Sequence, residues 1–312
     1  MKRSAFLIVI VLTLVAVPGW GAALGTAAGT VIPSEVQQII TVDYRQLAAS
    51  QTALALKAKV LPDNLRDLET ALRGVGVDPD KDVDSLTFAS FRTKDQGLRV
   101  IGIAQGQFGR DKVVKKMRAQ KIKPTKYHTS FVYPLGSAME VAFLDNFSML
   151  FGDEAAVHAS LDARDGAALS LASNSQMSDL VNSANDGAVW SVLDAAGTQN
   201  MMRSTLGDAA RLADYETVKK RLLGSFYTMD FSHGVKFDLS VVTSDSVTAA
   251  TMSSLLRAGV LFKKMNAAGA EKTALENVTV DSDSDHLLVH FKTDDDKFQS
   301  LLQSPMFTAM TH

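Results

Sequence analysis

The chain has 312 residues, a formal charge of −2, an apolar content of 46% and no cysteine. Without cysteine there are no disulfides, thiolate metal sites or cysteine nucleophiles. A chain this close to neutral is no general polyanion binder; only a local patch could be. The length suits one large domain or two of ordinary size.

Lys2 and Arg3 open the chain, and an apolar run follows from Ala5 to Val17, broken only by Thr13. Pro18, Gly19 and the small residues Gly21 to Gly25 come next. Positive start, short apolar core, helix breaker and small residues form the layout of a secretory signal peptide. The apolar run falls short of the roughly 20 residues that span a bilayer. Cleavage after Ala23 or Gly25 is expected, giving a signal peptide over 1–23 and a periplasmic or extracellular protein. A cysteine-free exported chain suits a bacterial envelope.

Residues 24–33 read as a leader. Val36–Asp43 is strand-like, and Ala53–Val60 and Asn64–Arg73 carry apolar residues at helical spacing. Gly74-Val75-Gly76 stops the second helix. Ser85–Phe91 and Leu98–Gln105 form a hairpin, and Arg110–Gln120 is a helix with Val113, Val114 and Met117 on one side. Ser130–Tyr133, Ala138–Leu144 and Ser148–Phe151 are strands, and Asp153–Leu161 closes this half as a helix. Residues 167–187 read as a polar connection. The order then returns: strand Ala188–Leu193, helical segments over 198–222, hairpin Ser225–Asp230 with Val235–Val242, helix Val247–Met265, hairpin Leu275–Val280 with His286–Lys292, and helix Asp294–Leu302. Residues 304–312 read as a tail.

LTFASFRTKDQGLRVIGIAQGQFGRDKVVKKMRA aligns in element order with FYTMDFSHGVKFDLSVVTSDSVTAATMSSLLRAG. An internal repeat is therefore expected. It gives an α+β fold of two similar halves, 34–166 and 188–303, each an antiparallel sheet with helices packed on one face. The hairpin, the helix and the following AFLDNFSMLFGDEAAVHASLDARDG resemble uncharacterised secreted bacterial proteins built from two such halves. The resemblance spans most of the mature chain. It implies a fold and an exported location, and it brings no functional residue with it.

Several residue groups suggest chemistry. Asp78, Asp80, Asp82 and Asp84 alternate as in a calcium loop, but the sixth and twelfth places hold Val83 and Ala89 where an EF-hand needs Gly and Glu. Asp281, Asp283 and Asp285 fail likewise, with His286 and Lys292. Such aspartates cap helices and make turns. His286 and His290 lie four apart on a strand, about 13 Å from one another, too far for two ligands of one metal. Asp230, Ser232 and His233 have the residue types of a catalytic triad crowded into one turn. No nucleophile elbow, zinc-protease helix, phosphate loop or dinucleotide fingerprint occurs. No catalytic residue, metal site or cofactor is assigned.

The strongest local feature is a basic helix. Arg110, Lys112, Lys115, Lys116, Arg118, Lys121, Lys123 and Lys126 stand against Asp111 alone. The matching stretch of the second half, Val247–Met265, has no charge before Arg257. The fold therefore does not require the charge, and Arg110 to Lys123 form the candidate anion-binding set. The chain reads as a non-catalytic exported binding or structural module of the cell envelope. The alternatives are an exported hydrolase with a site assembled from distant residues, and a peripheral protein that binds anionic lipid or other anions through 110–126. An anionic surface or an envelope protein is the expected partner, and nucleic acid is not.

Overall fold

The computed structural model describes residues 24–93, 97–136, 138–184, 187–206 and 215–304, with the side chains of 216 and 217 left aside. The expected signal peptide and nearly all of the expected tail lie outside these residues. In chain order the strands are β1 (Val36–Asp43), β2 (Val83–Thr93), β3 (Gly97–Gly106), β4 (Thr125–Tyr127), β5 (Ser130–Pro134), β6 (Glu140–Phe143), β7 (Ser148–Gly152), β8 (Val189–Asp194), β9 (Leu222–Asp230), β10 (Val235–Thr243), β11 (Val278–Asp283) and β12 (His286–Thr293). The helices are α1 (Thr26–Val31), α2 (Tyr44–Ala48), α3 (Gln51–Val60), α4 (Asp63–Val75), α5 (Pro79–Asp82), α6 (Arg110–Ala119), α7 (Glu154–Arg164), α8 (Ser175–Ala184), α9 (Ala195–Leu206), α10 (Tyr215–Val218), α11 (Ser246–Asn266), α12 (Gly269–Glu276) and α13 (Asp295–Leu302). No described helix is long and apolar enough to cross a membrane.

The fold is α+β around one continuous sheet in the order β11-β12-β10-β9-β8-β1-β2-β3-β7-β6-β5-β4. Every strand pair in it is antiparallel. Between the fifth and sixth strands lies the β1–β8 seam, where Ile39 faces Val192 and Thr41 faces Trp190. Ile39, Val192 and Trp190 are fully buried.

The expectation of helices on one face needs correction. Successive strand side chains point to opposite faces. In β7, Leu150 packs with Val157 and Leu161 of α7. Its neighbours Met149 and Phe151 pack with Val113 and Met117 of α6. The strands of residues 34–166 are thus covered on both faces, by α1 and α7 on one and by α4 and α6 on the other, while α8 lies over β8 and β9. The physical cause is visible in the run SMLFG, buried at every position, since strands covered on both sides lose their polar alternation. In the second half α9 and α11 cover Leu222, Val241 and Leu287. The register puts these residues on the α6 face, while Lys236 and Asp238 stand opposite Lys292 and His290 on the reverse face.

Two stretches read as linkers contribute to the core. The leader carries α1, with Ala28, Val31 and Ile32 buried. The expected connection carries α8, whose Met177, Leu180, Val181 and Ala184 recur at helical spacing and are buried.

Candidate functional site

The basic segment starts where β3 ends. Gly109 enters α6 with a left-handed φ of 55°, which suits glycine. Val113 and Met117, one turn apart, are buried against Phe108, Tyr133 and Phe143. That anchors one side of α6 and leaves the other to solvent. Arg110, Lys112, Lys115, Lys116 and Arg118 are exposed, as are Lys121, Lys123 and Lys126 beyond the helix. Among the described residues, none of these eight cations has an ion-pair partner. Elsewhere cations are commonly paired: Arg99 with Asp153 at 3.0 Å, Arg164 with Asp165 at 2.7 Å, Arg257 with Asp281 at 2.8 Å.

Several acids on and after α4 are occupied. Arg73 of α4 holds Asp78 and Asp80, each at 2.6 Å. That interaction with Arg73 keeps the Asp80 carboxyl below its usual range. The Tyr44 hydroxyl donates to Asp80 at 2.9 Å and accepts from Lys57 Nζ at 2.5 Å. Burial pushes Tyr44 up to about 12. Lys57 also pairs with Glu69 at 2.7 Å.

The structure separates one lysine from the rest. Lys116 lies against the carboxyl end of α4, which stops at Gly76 with φ 91°. A Cβ at Gly76 would sit 2.5 Å from Lys116 Nζ. Gln120 Nε2 donates to the Gly74 carbonyl at the same end, at 3.0 Å. A cation there meets the negative end of the helix dipole, so Lys116 helps to dock α6 onto α4. Lys112, Lys115 and Arg118 have no such role.

Two exposed aromatic side chains flank the patch, and sequence reasoning missed both. Phe131 of β5 is the cross-strand partner of Lys126 and is 50% exposed. Phe147 sits at the tip of the β6–β7 hairpin, 61% exposed, and its carbonyl accepts from Gly106 N at 2.9 Å, just ahead of α6. A single Phe in or beside a strand carries no sequence signal that separates it from core.

The other sequence candidates have structural partners. Asp82 accepts from the Asp78 backbone N–H at 2.7 Å, and Asp84 pairs with Arg45. Asp281 pairs with Arg257, Asp285 with His286 at 2.8 Å, and Asp238 with His290 at 2.6 Å. Among the described residues no group of three acids or histidines could hold a metal. In the 230–233 turn Ser232 Oγ donates to Asp230 at 2.5 Å, and His233 Nδ1 lies 3.1 Å from the same oxygen. The serine stands between acid and imidazole, whereas a triad needs the imidazole between acid and serine.

The titratable groups that gather elsewhere line an open cleft of about 710 Å³ with Arg99, Glu140, Asp153 and His158. Burial raises the Glu140 carboxyl above its usual range, and its Oε2 has no hydrogen-bond partner. The His158 ring stacks on Tyr127 at 3.7 Å.

No protein-family model matches the chain, and no curated protein matches it. Solved structures do match. Crystal form III of TP0453, a treponemal protein, aligns with a TM-score of 0.50 at 9% identity, over 88% of this chain and 96% of that one. Crystal form I aligns at 0.47 and 9% identity, over 88% and 95%. At this identity the chain is similar to TP0453 in fold alone.

Proposed function

We propose that the chain is a non-catalytic exported protein of the cell envelope, a binding or structural module whose working surface is the basic face of α6 and its continuation to Lys126. One observation carries this reading: eight exposed cations without ion-pair partners among the described residues, in a protein of formal charge −2. Like charges held together on a surface repel, so an anionic partner relieves that repulsion, Lys116 alone among them also serving the contact with α4. The test is retention on heparin and on anionic vesicles. Lys112→Gln, Lys115→Gln and Arg118→Gln together should weaken both, and added salt should weaken both further. Unchanged retention of this variant at low salt overturns the reading.

Export is the second part of the proposal, supported by the layout of residues 1–25. The processed protein should lack them by intact mass; a species that retains Met1–Val17 overturns cleavage and leaves an anchored protein.

The third part is duplication. Outward from the seam the strands run β1-β2-β3-β7-β6-β5-β4 on one side and β8-β9-β10-β12-β11 on the other, so the first five of the longer side have counterparts and β5-β4 are extra, and hairpins β2–β3 and β9–β10 lead into α6 and α11. Superposing residues 36–163 on 188–303 should bring α6 onto α11. A fit that pairs α6 with any other element overturns the repeat.

A further inference from the structure

We infer that the anionic partner is a phospholipid surface, which the protein meets with lysine and arginine on the headgroups and with Phe131 and Phe147 among the upper acyl chains. The inference rests on the basic-surface reading and adds the class of partner. Three observations carry it. The cations run from Arg110 to Lys126 without ion-pair partners among the described residues, so the surface complements an anionic sheet of headgroups. Phe147 stands at the start of that run, through the Gly106 contact, and Phe131 stands at its end, beside Lys126. Both are at least half exposed, although each is flanked in sequence by buried positions: Ser130 and Val132 around Phe131, and Ser148 after Phe147. The backbone that presents them is held, since Asp145 Oδ1 accepts from Phe147 N at 2.7 Å and β5 is paired on both sides.

A soluble polyanion needs only the charges. A bilayer interface takes both, because basic side chains reach the headgroups while an aromatic ring beside them sits at the boundary of the acyl region. An acidic protein could also cover two Phe rings, but it would have to match the shape of the patch; a fluid lipid surface does not.

The experiment uses the processed protein, vesicles of phosphatidylcholine with phosphatidylglycerol, and a heparin column. Phe131→Ala with Phe147→Ala should weaken vesicle binding by about tenfold or more and leave heparin retention unchanged. Single Phe131→Trp and Phe147→Trp variants, which keep an aromatic ring in place, should shift their fluorescence to the blue on these vesicles and not with heparin. Vesicle binding unchanged in the double alanine variant, together with Trp emission that does not move, overturns the phospholipid assignment while the basic-surface reading stands; the partner is then a polyanion or an acidic protein. If the Lys112, Lys115 and Arg118 variant binds vesicles and heparin as the parent does, the underlying reading fails, and this inference with it.

Discussion

Removing charge from α6 should barely change stability, although it removes three large side chains from one helix. The variant is Lys112→Gln, Lys115→Gln and Arg118→Gln. It relieves the like-charge pairs 112/115 and 115/118 at i,i+3 and 112/116 at i,i+4, each worth about 0.2–0.5 kcal/mol. It also loses one cation of the last turn, Arg118, worth about 0.3–1 kcal/mol at the helix dipole. Lys, Arg and Gln have nearly equal helix propensity. Gains and losses cancel to within about 0.5 kcal/mol. Lys116 is kept because of its place at the end of α4. The contrast is Met117→Ala on the buried side. Met117 is 0% exposed, so this change should cost about 2–5 kcal/mol. Urea unfolding followed by far-UV circular dichroism measures both, as a shift of midpoint at constant slope. A loss above about 1 kcal/mol in the charge variant would show that the exposed face holds the fold together, and the division of α6 into a packed side and a free side would be refuted.

Thr198→Val should cost about 1–3 kcal/mol. Thr198 and Ser225 hydroxyls pair at 2.9 Å with both residues fully buried, so the change leaves Ser225 without its partner; adding Ser225→Ala should recover part of the loss in a double-mutant cycle. The Asp245 carboxyl at the start of α11 is lowered to about 2, chiefly by the Thr248 backbone N–H and then by the Ser244 and Thr248 hydroxyls. A depressed native value means that its contribution is complete above about pH 4 and is lost as pH falls through about 2. Unfolding between pH 5 and pH 2 should therefore lose less stability in Asp245→Asn than in the parent, and identical slopes would refute the capping role.

Much of the fold was legible because hairpins and amphipathic helices carry short-range patterns. The β2–β3 and β9–β10 hairpins, α6, α7 and α11 lie within a few residues of their expected positions. What failed was reading burial from polarity. The apolar stripe of α8 alternates with Ser, Gln, Asp and Asn, and that content made 167–187 look like a connection. α12 was missed because Gly269–Glu276 has no fully buried residue, and Leu275 was read into the strand that starts at Val278. The basic patch was readable because charge density needs no structure. Its aromatic flanks were not, since Phe131 reaches Lys126 only through strand pairing and Phe147 reaches α6 only through a hairpin tip.

The β1–β8 seam shapes how the molecule comes into being. β1 is finished early in synthesis, and one of its edges stays open until Val189–Asp194 arrives, about 150 residues later. At about 5–20 residues per second, a nascent chain carries this row of unpaired amides for many seconds. An open edge of this kind is a template for another chain. A fragment that stops at Ala184 would keep it for good and should associate through β1. The edge closes only when Trp190 is seated opposite Thr41.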